Sequence, residues 1–172
     1  MLIRSERAPL LPVERAWLVS LPIPPSAGGA LDDARVYIPL RDEWLMALER
    51  ETGDLAWTRE IEANSAPLAH DGSVFVASRG AIRALDAATG EDLWTTPIGS
   101  AVIAPLVWDS GWLLAVAQGG TVVALRASDG REIWRRALGA PTTHPVVPGG
   151  PAALYPSLAD GRLVALRLVD GT

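Results

Sequence analysis

Few side chains in this sequence could do chemistry, and they lie far apart. His70 and His144 are the only histidines, the first followed by Asp71-Gly72 and the second set between Thr143 and Pro145. Two imidazoles on loops that shared one face could hold a metal ion. No carboxylate accompanies them at ligand spacing, so the pattern favours two turn residues. Ser100, Ser110, Thr142 and Thr143 have no placed His–Asp partners, which leaves nucleophilic hydrolysis without support. Cysteine is absent, which removes disulfides, thiolate zinc sites and cysteine nucleophiles together. Asp71, Asp109 and Asp160 recur in register before or between apolar runs and read as turn formers. Trp108 and Trp112 flank the turn Asp109-Ser110-Gly111 where an otherwise similar stretch has Ala69 and Val74. They are candidates for a partner-binding surface, or for extra packing inside the fold.

The elements that would position these groups are repeats. Ala84 to Trp94 reads ALDAATGEDLW, Ala47 to Trp57 reads ALERETGDLAW, Ala124 to Trp134 reads ALRASDGREIW, and Ala165 to Gly171 reads ALRLVDG. Gly53, Gly90, Gly130 and Gly171 are spaced by 37, 40 and 41 residues, a period that marks an array of similar units. A small sheet cannot bury both of its own faces, so such units stack.

Each copy carries two or three short β-rich runs ahead of this segment, joined by Gly- or Asp-containing turns, and helical periodicity of useful length is missing. The expected class is therefore all-β, in four-stranded antiparallel meanders. The expected units are about 23–62, 63–99, 100–139 and 140–172, in a single domain over 1–172. Residues 1–14 form an arm, and 15–22, around Trp17, form a strand that copies the last strand of a unit. The second unit is the clearest, with strands at 65–69, 73–77, 81–85 and 91–98. The third has them at 104–107, 112–116 and 121–125 before the Trp134 strand, and the fourth at 145–147, 153–155 and 162–166. The fourth unit has no last strand of its own, so residues 15–22 are expected to complete it and close a ring.

Turn chemistry explains the recurring residues. The glycine meets a need for positive φ, and Asp86 with Thr89 can hold the turn through its amides. Glu49, Arg126 and Arg167 replace that Asp elsewhere, so the support is altered there. Each Trp should cover apolar area against the next sheet while its N–H finds a carbonyl, and the Ala-Leu pairs before it should pack between sheets.

Charge bounds the partners. The 172 residues carry a net charge of −5, and all fifteen basic residues are Arg, a balance that argues against nucleic acid. Apolar runs are always interrupted before about eighteen residues, so a membrane span is not expected. The first residues show no apolar core of a secretory signal.

The pattern Ala-x-Asp-x-x-Thr-Gly-x-x-x-Trp, best seen within 73–98 and spread over 17–172, resembles the tryptophan-docking repeat of the PQQ-like (quinoprotein alcohol dehydrogenase-like) β-propeller family. The resemblance implies a propeller. It brings in two functional classes: dehydrogenases with PQQ and calcium at the axis, and non-catalytic scaffolds. This chain has no vicinal Cys pair and only one Asn, Asn64, and no Glu–Asn–Asp set maps onto it. The expectation is a non-enzymatic scaffold or binding module for a protein partner or ligand, without cofactor or metal. The resemblance points to an extracytoplasmic location. Closure is expected either as a four-bladed monomer or as an eight-bladed homodimer exchanging the Trp17 strands, with a fragment of a longer propeller as the third possibility.

Overall fold

A computed structural model describes residues 15–142, 146–148 and 153–172. The expected arm at 1–14, together with Thr143, His144 and Pro145, lies outside the described residues.

Three four-stranded antiparallel sheets and one of three strands make up the described chain. Blade 1 contains β1 (Ala30–Leu31), β2 (Arg35–Leu40), β3 (Trp44–Glu49) and β4 (Leu55–Glu60). Blade 2 contains β5 (Leu68–His70), β6 (Ser73–Ser78), β7 (Ala81–Asp86) and β8 (Asp92–Pro97), and blade 3 contains β9 (Val107–Asp109), β10 (Trp112–Ala117), β11 (Thr121–Arg126) and β12 (Glu132–Ala137). Blade 4 is β13 (Val147–Pro148), β14 (Ala153–Tyr155) and β15 (Leu166–Arg167). Strands pair in chain order within each sheet, the meander of a propeller blade.

The inner strands are shorter than expected and begin later. β5 starts at Leu68 and β9 at Val107, because Pro67 and Pro105 precede them and proline cannot donate to a ladder. In blade 4 the expected run 162–166 keeps only an isolated bridge between Ser157 and Leu163 before β15. Residues 15–24 adopt no strand. Among the described residues no ladder joins them to the last sheet, which ends at β15.

The hairpins between first and second strands of blades 2 and 3 are two-residue turns, Asp71-Gly72 and Ser110-Gly111, with all four φ angles between 50° and 85°. Two successive positive φ values define the turn whose twist suits a hairpin. Their tips bond to the turn that ends the third strand: Ala87 N–H donates to Gly72 O, and Ala127 N–H to Gly111 O, both at 2.9 Å. Both kinds of turn therefore lie at one end of the stack.

Burial sorts by strand parity. Leu85 joins the cluster between blades 1 and 2 with Tyr37 and Val74, whereas its neighbour Ala84 faces blade 3 with Phe75 and Leu113. Leu125 and Ala124 divide in the same way, toward blade 2 and blade 4. In blade 4, Leu166 is buried against blade 3, but Ala165, on the far side, is exposed. On the face of blade 1 turned away from blade 2, Leu40, Met46 and Leu48 are covered by Trp17, Leu21 and Ile23.

Candidate functional site

The repeated Trp and Gly residues meet across neighbouring blades. Trp57, in β4, lies over Gly90 of blade 2: a Cβ at Gly90 would stand 2.8 Å from Cδ2 and Cε3 of the indole. Trp134 lies over Gly171 in the same way, at 2.7 Å from Cε3, and Trp94 over Gly130. Each indole N–H donates to a carbonyl of the turn it covers, Trp57 to Ala87 (3.0 Å), Trp94 to Ala127 (3.1 Å) and Trp134 to Leu168 (2.6 Å). Trp17 does the same to blade 1. Its ring stands 2.8 Å from a Cβ at Gly53 and its N–H donates to Arg50 O at 2.9 Å. The glycine thus meets two demands at once, a φ of +74° at Gly90 and a bare surface for the ring.

Asp86 holds its turn as its type suggests. Its Oδ1 accepts from the amides of Ala88 (2.9 Å) and Thr89 (2.8 Å) and from the Thr89 hydroxyl (3.1 Å). These bonds, the Thr89 amide foremost, keep its carboxyl below the usual aspartate value. Where Arg126 and Arg167 replace it, the support moves along the turn. Asp129 accepts from Arg131 N–H at 3.0 Å and pairs with Arg126, and Asp170 accepts from Thr172 N–H at 3.0 Å and pairs with Arg167.

Two features of this joint were not foreseen. A one-residue register shift sits in the ladder beside Trp57, Trp94 and Trp134, between Ala47 and Leu48, Ala84 and Leu85, and Ala124 and Leu125. Such a bulge re-aims the side chain that follows it. Second, the residue two after the Trp also reaches the next turn: Thr96 Oγ1 donates to Gly130 O at 2.6 Å and Arg136 Nε to Gly171 O at 2.7 Å. The two-residue spacing, which places both on one face, was the available signal.

Trp108 and Trp112 do not form one aromatic patch. Trp108 pairs with Leu113 across the hairpin, which turns both toward blade 2, and Trp112 shares the face of Leu114 toward blade 4. The position equivalent to Trp112 in blade 2 is Ser73, since each pairs with the residue ending the first strand, and not Val74. His70 stacks on Trp108 with ring centroids 3.6 Å apart. Both tryptophans are half-buried, and both line one cavity of about 770 Å³ that passes over the tip of the blade 3 hairpin, from His70, Asp71 and Phe75 to Ile133 and Val169. Asp71 and Arg126 are the acidic and basic side chains on its wall. The trough lies at the end of the stack that carries the β5–β6, β9–β10 and β11–β12 turns.

PQQ and calcium would need several convergent oxygen or nitrogen donors. Among the described residues no three His, Asp or Glu side chains meet at one point. Asn64 sits at the other end of the stack, its Oδ1 accepting from Arg79 N–H at 3.2 Å. The donor set does not fit that cofactor pair. Among the described residues no helix is long and apolar enough to cross a membrane.

Structural comparison finds propellers. BamB from Moraxella catarrhalis superposes with a TM-score of 0.74 at 20% identity, over 91% of this chain and 52% of that one. The computationally designed Ika4 protein gives 0.76 at 16% identity, over 92% of this chain and 99% of that one. Quinohemoprotein alcohol dehydrogenase from Comamonas testosteroni gives 0.72 at 18% identity, over 84% and 34% respectively. The chain therefore spans about half of the natural BamB and a third of the dehydrogenase. No curated protein matches it in sequence. The family profile described as outer membrane protein assembly factor BamB matches residues 14–95 and 78–172, and with its four Trp-on-Gly joints the chain belongs to that family of PQQ-like propeller repeats.

Proposed function

We propose that this propeller is a non-enzymatic binding module that engages a protein partner through the end of the stack where the hairpin tips Asp71-Gly72 and Ser110-Gly111 lie. The observation that carries this reading is the trough at that end. Blade 2 forms the same joints with Ala69 and Ser73 where blade 3 has Trp108 and Trp112, so the two large aromatics exceed what blade stacking requires. Aromatic residues on an accessible concave wall are the usual anchors of an interface. The opposite end is built differently, with Arg79 paired to Glu43 and Glu62. A photo-crosslinking residue placed at Ser110, and another at Arg79, tests the reading in the native host. A discrete adduct from position 110 and none from 79 is expected. Equal labelling at both, or none at 110, removes it.

The enzyme alternative, a relative of PQQ dehydrogenases, predicts a rise in melting temperature with PQQ and calcium together and oxidation of alcohols with an artificial electron acceptor. Neither is expected. The family's description as an outer membrane assembly factor supports an extracytoplasmic location, which fractionation of the host would test.

A second reading concerns assembly. Residues 15–21 hold Trp17 on blade 1 as a neighbouring blade's outer strand would, yet Leu18 is 77% exposed. Just before β15, Leu163 is 69% exposed. A head-to-tail contact of two copies would bury both surfaces and close an eight-bladed ring. Light scattering coupled to size exclusion tests this reading: two chains per particle is expected, and a mass of one chain refutes it.

A further inference from the structure

We infer that the trough binds a basic segment of a partner polypeptide, with an arginine or lysine side chain laid along the Trp108 indole, its charged head at the Asp71 carboxylate, and a later residue of the segment against Trp112. This rests on the reading that the hairpin-tip end is the binding face, and it names the chemistry of the occupant.

Charge on the cavity wall makes the choice. Arg126 is already neutralised by Asp129, Nη1 to Oδ2 at 3.0 Å across its own turn. Asp71 is exposed and takes part in no hydrogen bond or ion pair among the described residues. The uncompensated charge on the wall is therefore negative, in a chain whose net charge is −5. An anionic ligand would have to displace Asp129 from Arg126 and would also meet Asp71. A cation meets a free carboxylate on the blade 2 side of the trough, where the Trp108 indole also lies, an arrangement that attracts guanidinium and ammonium groups.

Shape agrees with a long side chain on an extended backbone. The wall runs from the blade 2 tip over the blade 3 hairpin to Val169 in blade 4, so an occupant crosses three turns and does not drop into one pit. Ile133 and Val169 supply apolar surface along it, which apolar parts of the segment, including the methylene stems of Arg or Lys, cover while the charged heads stay in water. His70, packed against Trp108 with ring centroids 3.6 Å apart, holds that indole in place at the wall.

The test uses the whole chain, labelled with ¹⁵N, titrated with acetyl-Gly-Arg-Leu-Arg-Gly-amide, with the same peptide carrying Glu for Arg, and with arginine amide. Expected are movement of the Trp108 and Trp112 indole N–H signals with the Arg peptide, none with the Glu peptide, and weaker binding of arginine amide. The Asp71→Asn variant should bind the Arg peptide about two- to fivefold more weakly and with less salt dependence. Asn tolerates the φ of 50° at this position, so the variant keeps the turn. Equal or tighter binding of the Glu peptide, still indole signals, or unchanged affinity in Asp71→Asn each overturn the proposal. If these occur while a crosslinker at Ser110 still captures a discrete partner, the binding face stands and only its basic ligand is refuted.

Discussion

Replacing Trp57 and Gly90 by Ala, singly and together, tests whether the blade joint is the ring-on-glycine contact. Trp57→Ala removes a half-buried indole that packs beside Tyr37, ring centroids 5.8 Å apart, and should cost about 3–5 kcal/mol. Ala87 O, the acceptor of the indole N–H, also accepts from Arg35 Nη1 at 3.4 Å, so it is not orphaned and the lost bond adds little. Gly90→Ala carries two costs. A φ of +74° costs an L-residue about 1–2 kcal/mol, and a Cβ set 2.8 Å from two indole carbons adds crowding of about 1–3 kcal/mol.

Only the second cost depends on Trp57, because the nearest atoms around that Cβ all belong to its ring. In the double variant it disappears. The pair should therefore be less destabilised than the sum of the single changes by about 1–3 kcal/mol. Urea titrations give the four stabilities, in sulfate to keep the weakest variant folded. Additivity within about 0.5 kcal/mol would mean that the ring does not rest on the glycine, and the account of the joint would be wrong.

Other consequences are simpler to read. Tyr37→Phe removes a fully buried hydroxyl that donates to Asp32 Oδ2 at 2.6 Å, and should cost about 1–3 kcal/mol by denaturant titration. Asp86 is held below its ordinary value of 3.8 by the bonds from Thr89 and Ala88, so its stabilisation is present above that value and lost as pH falls through the lower folded one. Melting temperatures of Asp86→Asn should therefore fall less between neutral and acid pH than those of the parent. Deleting residues 1–22 bares Leu40, Met46 and Leu48 and should yield soluble aggregates by light scattering; an unchanged monodisperse particle would remove Trp17 from any role in the fold.

The propeller was legible because its joints repeat in sequence. A glycine and a tryptophan at fixed spacing, three times over, report a turn and the ring of the neighbouring blade that the turn receives. What the spacing could not report is what needs two blades at once. The register shift beside Trp57, Trp94 and Trp134 leaves no distinctive residue signature, since Ala56, Leu93 and Ile133 are aliphatic residues that any strand could carry. The inner strands were placed too early because apolar character continues through Pro67 and Pro105 while hydrogen-bonding capacity does not. Trp108 and Trp112 were visible as departures from the repeat. Their division between the two faces of blade 3 follows from cross-strand pairing, in which Trp108 stands opposite Leu113, and that was not available from a run of letters.

The same division bears on how the trough would work. Had both indoles shared one face, one blade interface could have absorbed them as packing. Because Trp108 meets His70 on one side and Trp112 meets the blade 4 cluster on the other, each is anchored by a different neighbour, and the hairpin tip between them links both interfaces. A ligand that spans the tip then touches blades 2, 3 and 4 together. Binding there should resist separation of those blades, so an occupant of the trough should raise the melting temperature by linkage to folding. A ligand seated on a single outer strand would touch one blade only and would leave the joints between blades to part as before.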